Sequence, residues 1–300
     1  MDRLTKSAAE LLVCPDDRGD LTVVENHLTC GRCHRSFKVW APNLVEVLPL
    51  HKTVRVGQSR LERRNIGRYE KIFDEKFTWE IAEPPWGLME SLPLRAHGRV
   101  LKQLNLIKRV LPDKLGIFCD VSAGSGRYDF ELLDRCTTAV YSDLRVADVV
   151  HLYRETTHRA ASNVLIVRCD YWSSPYRGEI FDTVLCNDTL IYGLEHERRL
   201  LETIYGSLKN GGTALVDFHN RMHSGIWHAP YEIGYTIREI KRLLNSVGID
   251  RYELFSYYQE EWISDGASYF KNLLTSMVPP TRYFVKIVKS FVSDENPALP

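Results

Sequence analysis

The chain has 300 residues, of which 44% are hydrophobic and 26% charged, a balance that supports a buried core and excludes a disordered chain. Its 39 basic and 39 acidic side chains cancel, which argues against a function driven by bulk attraction to nucleic acid or anionic lipid. No apolar run approaches the roughly 18 residues of a spanning helix, and no secretory signal pattern follows Met1. We therefore expect a cytoplasmic protein without a membrane partner, whose seven cysteines are thiols or metal ligands.

The first 50 residues carry a pattern typical of a small zinc ribbon. Cys30 and Cys33 form a C-x-x-C pair, whereas the earlier half-pair has Cys14 followed by Asp17 where a second cysteine is expected. The polar segment over 21–29 predicts a hairpin between the two halves. Segments this small usually need a metal or another staple, which favours zinc. The predicted ligands are Cys14, Asp17, Cys30 and Cys33, and the alternatives left open are His27, His34 or a ribbon without metal.

The same stretch resembles the zinc-ribbon domain of the small activator proteins that partner tRNA and rRNA methyltransferases. The resemblance lies in Cys14-Pro15, the hairpin, the C-x-x-C pair, the aromatic Phe37 and the short hydrophobic end before Pro49. Asp17 departs from the pattern of that family, which has cysteine there. The resemblance implies a fused ribbon that binds zinc or that only packs and mediates association.

Residues 51–115 form a basic segment, with 14 basic and 8 acidic side chains. Apolar residues at helical spacing predict a helix over 54–77 and a second over 92–110, separated by the turn at Pro84-Pro85-Trp86-Gly87. We expect these helices to lie over the cleft of the segment that follows. Their positive charge is interpreted as a solvated helical face or, alternatively, as a contact with phosphate or another anion.

A loop of small residues follows an apolar strand that ends at Asp120. The sequence from Ser122 through Gly124 to Gly126 lets a ligand approach the backbone closely, because glycine carries no Cβ. A helix predicted to start near Arg127 offers free N–H groups to an anion. This arrangement is typical of nucleotide-type sites in doubly wound folds.

The segments that follow alternate between predicted strands and helices. Apolar runs predict strands over 139–143, 164–170, 181–188 and 213–218, and the first two of these end in the acids Asp143 and Asp170. A helix over 200–208 is predicted to end in a glycine cap at Lys209-Asn210-Gly211-Gly212. Further on, the pattern predicts a helix over 235–249, capped by Thr236 and Gly248, and strands over 253–258 and 283–288. Such alternation predicts a parallel sheet with ligand at the carboxyl ends of its strands.

The stretch from Ile117 to Phe218 is similar to class I S-adenosylmethionine-dependent methyltransferases. The resemblance implies an α/β fold with a doubly wound, seven-stranded, mostly parallel sheet and a small β-rich ribbon before it. The chain then divides into a ribbon at 1–50, a helical linker or lid at 51–115 and a methyltransferase domain at 116–300. Asp143 corresponds to the ribose acid of the family and Asp170 to its adenine-edge acid, with Tyr171 or Trp172 to pack on the base. The implied contacts to S-adenosylmethionine are Asp120, Ser122, Ala123, Gly124, Gly126, Asp143, Leu144, Asp170, Tyr171 and Asn187.

Methyl transfer requires alignment of the nucleophile and, for some acceptors, removal of a proton. Asp188 and His219, which follow the fourth and fifth strands, are the predicted general bases. Other polar candidates at the same strand ends are Tyr192, His196 and Asn220. Cys119, Cys169 and Cys186 lie in strand runs and are predicted to be core residues.

The aromatic C-terminal region, which includes Trp227 and Trp262, suits an apolar acceptor pocket. We therefore expect methylation at oxygen or nitrogen of a small metabolite or natural-product intermediate. The basic linker and the ribbon leave an RNA base methyltransferase as the alternative. Two departures from the family patterns, Ser122 in place of the usual first glycine of the loop and Asp17 in place of a cysteine, motivate a third alternative, a catalytically silent partner subunit. A homodimer is consistent with each of these.

Overall fold

The computed structural model describes residues 3–52, 60–81, 94–190, 197–222, 233–257 and 280–290, and these form one continuous sheet with helices on both faces. The strands are β1 Leu21–Val24, β2 His27–Cys30, β3 Ser36–Ala41, β4 Leu44–Val47, β5 Gly116–Asp120, β6 Cys136–Asp143, β7 Val164–Cys169, β8 Phe181–Cys186, β9 Leu208–His219, β10 Tyr252–Tyr257 and β11 Arg282–Val288. The α-helices are α1 Arg3–Leu11, α2 Arg60–Phe73, α3 Leu94–Val110, α4 Val146–His158, α5 Glu197–Ser207 and α6 Ile237–Ser246.

The centre of the sheet is the predicted seven-stranded arrangement. Strands β7, β6, β5, β8 and β9 lie parallel in that order, and antiparallel β11 lies between β9 and the edge strand β10. The chain runs from β5 outward to β7 on one side and from β8 outward on the other. The strand order therefore reverses between β5 and β8, where open α/β sheets bind their ligands.

Burial on both faces explains why the central strands are almost wholly apolar. Every residue of β7 is buried. Successive residues of one strand enter the two hydrophobic cores on opposite faces, as Leu165 and Ile166 do. The three strand cysteines, Cys119, Cys169 and Cys186, are buried free thiols, as predicted.

The strand-rich N-terminal region extends this sheet. Strands β1 to β4 form an antiparallel meander, and β4 pairs in parallel with β7, with Leu44 opposite Ile166. The guanidinium of Arg18 donates to the carbonyl oxygens of Ser174 at 2.7 Å and Tyr176 at 2.5 Å. The meander thus covers the edge of β7, which would otherwise present unpaired backbone groups. The division of the chain at residues 50 and 115 stays a prediction.

The helix predicted to start near Arg127 is not formed. Residues 121–132 make successive turns, with Asp129 N bonded to Gly126 O at 3.1 Å and Leu132 N to Asp129 O at 3.0 Å. Gly126 has a φ of 76°, a left-handed conformation that does not continue into a helix. The prediction of a helix N-terminus facing an anion at this loop was therefore wrong.

The prediction of a glycine cap after α5 was also wrong. The helix ends at Ser207 and β9 begins at Leu208, so 208–212 belongs to the strand. Leu208 pairs with Phe181 of β8, and this pairing replaces the cap. By contrast, α6 has the predicted ends: Thr236 forms a capping box with Glu239, and Gly248 has a φ of 77°.

Helix α2 ends at Phe73, before the predicted residue 77, and α3 ends at Val110 as predicted. Within the described residues α2 covers Arg60–Phe73 and α3 covers Leu94–Val110. The predicted turn at Pro84-Pro85-Trp86-Gly87 lies outside the described residues. In the described part of the chain, no helix combines the length and apolar character needed to cross a bilayer.

Candidate functional site

A cavity of about 400 Å³ lies at the carboxyl ends of the central strands. It collects eight of the ten predicted cofactor residues and both predicted bases. These are Asp120, Ser122, Ala123, Gly124, Asp143, Leu144, Tyr171, Asn187, Asp188 and His219. The strand ends thus converge on one crevice at the position where the strand order reverses, as expected for this class of sheet.

The small-residue loop presents its backbone to this cavity. Gly124 has a φ of 55°, and a Cβ built on it would have no protein atom within 4 Å. The Asp120 carboxylate accepts the N–H of Ser122 at 3.1 Å and so holds the loop from below. The Ser122 hydroxyl is hydrogen-bonded to that of Thr189, across the gap between β5 and β8. The loop therefore leaves open space where a ligand can approach the main chain.

Asp143 stands at the mouth of this loop. Its Oδ2 accepts the N–H of Gly124 at 3.1 Å and its Oδ1 accepts the N–H of Arg145 at 2.9 Å. Burial raises the pKa of Asp143, while the backbone hydrogen bonds act in the opposite direction. A carboxylate offers about four acceptor positions, so two remain for the hydroxyls of a sugar.

The opposite end of the cavity holds a compact ionic cluster. One guanidinium nitrogen of Arg282, Nη1, donates to Asp188 Oδ1 at 2.5 Å and to Asp217 Oδ2 at 2.7 Å. His219 Nε2 lies 3.2 Å from the same Asp188 oxygen. Asp217 Oδ1 accepts the backbone N–H of Asp188 at 2.8 Å and fixes that residue at a φ of 57°.

Charge pairing decides the protonation of this cluster. Burial alone raises the pKa of Asp188, but Arg282 and His219 outweigh it and hold that pKa well below its ordinary value. Burial, followed by the charge of Asp188, raises the pKa of Asp217. The side chains of Asp188, Asp217 and His219 are close enough to hold a metal ion. The guanidinium of Arg282 already supplies the positive charge there, so this donor set does not fit a cation.

The comparisons with known proteins bear on this geometry. Residues 119–216 match a family model described as a methyltransferase domain. Phosphoethanolamine N-methyltransferase 2 of Haemonchus contortus, in complex with S-adenosyl-L-methionine, aligns over 77% of this chain with 16% identity and a TM-score of 0.50. A chain from the complex of the Haloferax volcanii Trm112 methyltransferase activator aligns over 66% of this chain, and over 92% of its own length, with 16% identity and a TM-score of 0.52. Residues 119–216 thus match a methyltransferase domain, and the solved structures share the class I methyltransferase fold.

The likeness has limits. The alignment covers 58% of the Haemonchus contortus enzyme, so this chain spans little more than half of the length of that enzyme. At 16% identity the solved structures show the fold and leave the acceptor open. No curated protein matches the chain significantly in sequence.

The residues that line the cavity fit S-adenosylmethionine. The open space over Gly124 admits a ligand against the main chain, and Asp143 retains acceptor positions for a ribose diol. The cavity volume falls within the range of roughly 300–1,000 Å³ that is usual for small-molecule and cofactor sites.

Two predicted cofactor residues lie behind the cavity wall. Asp170 is fully buried, and its carboxylate accepts the Tyr69 hydroxyl at 2.7 Å and the N–H of Trp172 at 3.1 Å. At Gly126 a Cβ would approach an atom of the Phe130 ring to 2.5 Å, so this glycine serves close packing. Neighbouring protein groups occupy both positions in this structure, and the contact of either residue with the cofactor stays a prediction.

Sequence reasoning missed several residues of the methyltransferase site. Helix α2 covers the cavity as expected of the linker, and its Tyr69 and Ile72 line it. Tyr128 and Arg282 line the ionic end. Gln103 of α3 donates to Asn187 Oδ1 at 2.7 Å and orients that amide. Only the amphipathic pattern of the linker signalled any of these contacts in advance.

The remaining polar candidates are not brought to the cavity. Asn220 is buried, and its amide bonds to Pro280 O at 2.7 Å and to the N–H of Met222 at 3.0 Å. Tyr192, His196, Trp227 and Trp262 lie outside the described residues.

The four predicted metal ligands converge in the N-terminal meander. One ligand atom from each of Cys14, Asp17, Cys30 and Cys33 lies within 4.8 Å of the others. The Sγ atoms of Cys14 and Cys33 are 3.7 Å apart, close to the roughly 3.8 Å between two sulfurs of a tetrahedral zinc site. Burial raises the pKa of Cys14 to about 12, and the N–H of Gly19 lowers the pKa of Asp17. Three sulfurs and a carboxylate fit zinc, whereas His27 and His34 do not belong to this cluster.

Proposed function

We propose that this methyltransferase methylates an oxygen or nitrogen atom of a small metabolite or natural-product intermediate. The observation that carries the proposal is the single cavity of about 400 Å³ that joins the Gly124–Asp143 loop to the pair Asp188–His219. S-adenosylmethionine, when bound, supplies an electrophilic methyl group on its sulfonium. The chain's own residues then have to orient the acceptor, exclude water and take up its proton.

The ionic end supports a division of roles between the two predicted bases. Asp188 is held ionised by Arg282, so its carboxylate is a weak proton acceptor. Its Oδ1 lies 3.2 Å from His219 Nε2 and orients the imidazole. An imidazole positioned by a carboxylate is a common general base. We therefore assign the acceptor proton to His219 and the orienting role to Asp188.

Release of S-adenosylhomocysteine from a panel of small amines, phenols and carboxylic acids tests the proposal. His219→Asn is expected to lower kcat by about 10²- to 10⁴-fold, the usual contribution of a general base. Its affinity for S-adenosylhomocysteine should stay within about twofold, because the Gly124–Asp143 loop is untouched. His158→Asn, at the exposed end of α4, is the matched control. Unchanged turnover in His219→Asn would refute the assigned role.

An RNA base is the second candidate acceptor. It is supported by the basic linker and by the likeness to a chain from the complex that contains the Trm112 activator. Methylation of bulk RNA, together with affinity that falls steeply with salt, would favour it over the small acceptor. A catalytically silent partner subunit would instead bind no S-adenosylhomocysteine.

We also propose that the ribbon at 1–50 binds one zinc ion through Cys14, Asp17, Cys30 and Cys33. The N–H groups of Arg32 and Cys33 donate to Cys30 Sγ, at 3.3 Å and 3.5 Å, and hold that sulfur in the cluster. The metal would tie the α1 side of the ribbon to the β2–β3 side and leave catalysis to the cavity.

A further inference from the structure

The cavity has two ends, and the proposed chemistry uses one of them. Asp188 and His219 form the ionic end, where the acceptor is expected. Asp143 offers its free acceptor positions to the ribose between the two ends. The purine of the cofactor therefore belongs at the other end, whose walls are given by Leu144, Arg145, Asp148, Tyr171, Trp172 and the α2 residue Ile72.

The acid expected to read the purine is not accessible from this end. Both carboxylate oxygens of Asp170 accept protein hydrogen bonds, from Tyr69 Oη at 2.7 Å and from Trp172 N at 3.1 Å. The residue is fully buried and does not line the cavity. Recognition of the adenine edge therefore needs another group.

Asp148, in the first turn of α4, borders the cavity beside Asp143 and is 3% exposed. Its Oδ2 lies 3.3 Å from Arg145 Nη1, while its Oδ1 is buried and has no hydrogen-bond partner among the described residues. A buried carboxylate oxygen without a donor has lost its hydration with no hydrogen bond in exchange, which destabilises the folded state. A ligand that brings an N–H group to this carboxylate would remove that cost.

We propose that Asp148 recognises the exocyclic amine of the adenine base and so selects the purine of the cofactor. The amine is a hydrogen-bond donor, and a carboxylate is an acceptor. Hypoxanthine carries an oxygen acceptor at the same position and would face Asp148 with two acceptors opposed. The inference rests on the S-adenosylmethionine assignment and is independent of which acceptor is methylated.

Calorimetric binding of two ligands tests the proposal on the full chain. S-adenosylhomocysteine carries the amine, and S-inosylhomocysteine carries the oxygen. The wild type is expected to bind the adenosyl ligand at least about tenfold more tightly, as is usual when a buried polar group loses its partner. In Asp148→Asn the preference should vanish, because the amide oxygen can accept from the adenine amine and the amide nitrogen can donate to the hypoxanthine oxygen.

The controls separate a binding role from a structural one. Glu155→Gln lies on the same helix, outside the cavity lining, and should keep the wild-type preference. The melting temperature of Asp148→Asn should change little, since the amide keeps an oxygen for Arg145 and the buried Oδ1 of Asp148 has no hydrogen-bond partner among the described residues. Equal weakening of both ligands in Asp148→Asn, or an unchanged preference, would overturn the proposal. A wild type that binds neither ligand would overturn the cofactor assignment itself. If the wild type binds and Asp143→Ala binds neither ligand, the cofactor assignment is supported.

Discussion

Arg168 is a buried link between the N-terminal meander and the cofactor cavity. Its side chain is 2% exposed and pairs with Glu46 of β4 at 2.5 Å. It also donates to Leu144 O at 3.0 Å, next to Asp143, and to Glu75 O at 2.8 Å beyond α2. Three segments distant in sequence therefore meet at one guanidinium.

Removing the carboxylate should destabilise the fold measurably. Glu46→Gln leaves the Arg168 charge buried with only neutral acceptors, and breaking a buried pair from one side costs about 3–5 kcal/mol. Glu46 is 23% exposed and the carbonyl bonds to Arg168 remain, so water and these bonds offset part of the loss. We expect about 2 kcal/mol, which at roughly 2–4 °C per kcal/mol lowers Tm by about 4–8 °C.

A double-mutant cycle with Arg168→Met measures the coupling directly, through thermal melting of each variant. The double variant should lose much less than the sum of the two single variants, with a coupling of about 1.5–3 kcal/mol. The surface pair Arg198–Glu202 on α5 provides the control, since Glu202→Gln should cost under about 0.5 kcal/mol. A Tm for Glu46→Gln within about 1 °C of the wild type, or additive losses, would show that the reasoning fails.

Two further results are expected. Cys30→Ser should reduce bound zinc, measured by elemental analysis, from about one ion per chain to about none. Cys136→Ser, which lies outside the cluster, should retain the zinc. A wild type without zinc would refute the metal site. Burial raises the pKa of Asp129 to about 7, from about 3.9 in the unfolded chain. The folded state then holds more protons between these values, so this group's contribution to stability is lost as pH rises through about 7. Asp129→Asn should therefore stabilise the protein more at pH 8 than at pH 5, by comparison of Tm; equal effects at both would contradict this.

The central strands were predictable because their burial is two-sided. A strand such as β7, with every residue inside, must be an apolar run, and such runs are visible in the sequence. The pairing of β4 with β7 was not predictable, because nothing in the local sequence of Leu44–Val47 indicates a partner strand 122 residues further along the chain. The ribbon's fourth ligand was left open for the same reason, and the turn at Gly19 brings Asp17 to Cys30.

The predictions from local sequence were wrong at two places where the residues suit two different structures and tertiary contacts decide between them. After Gly126 the residues suit a helix, but the positive φ at that glycine and the Phe130 ring against it select a chain of turns. After Ser207 the glycines suit a cap, but strand pairing of Leu208 with Phe181 selects an extended segment. Propensity is a weak prior in both places, and sheet and ring packing override it.

Asp170 and Asp148 also show why three-dimensional contacts decide what the local sequence leaves open. Asp170 was predicted to contact the cofactor because it follows a strand, and an acid at that position in this class of sheet normally faces the ligand. Tyr69 of α2, 101 residues earlier in the chain, donates its hydroxyl to that carboxylate and so joins α2 to the end of β7. Asp148 lies within a helix, where the sequence offers no reason to single it out, yet it borders the cavity with an oxygen that lacks a donor. A buried acid is a candidate for ligand recognition when one of its oxygens has no hydrogen-bond donor. Only the three-dimensional contacts distinguish such an acid from an acid whose oxygens both accept hydrogen bonds from the protein.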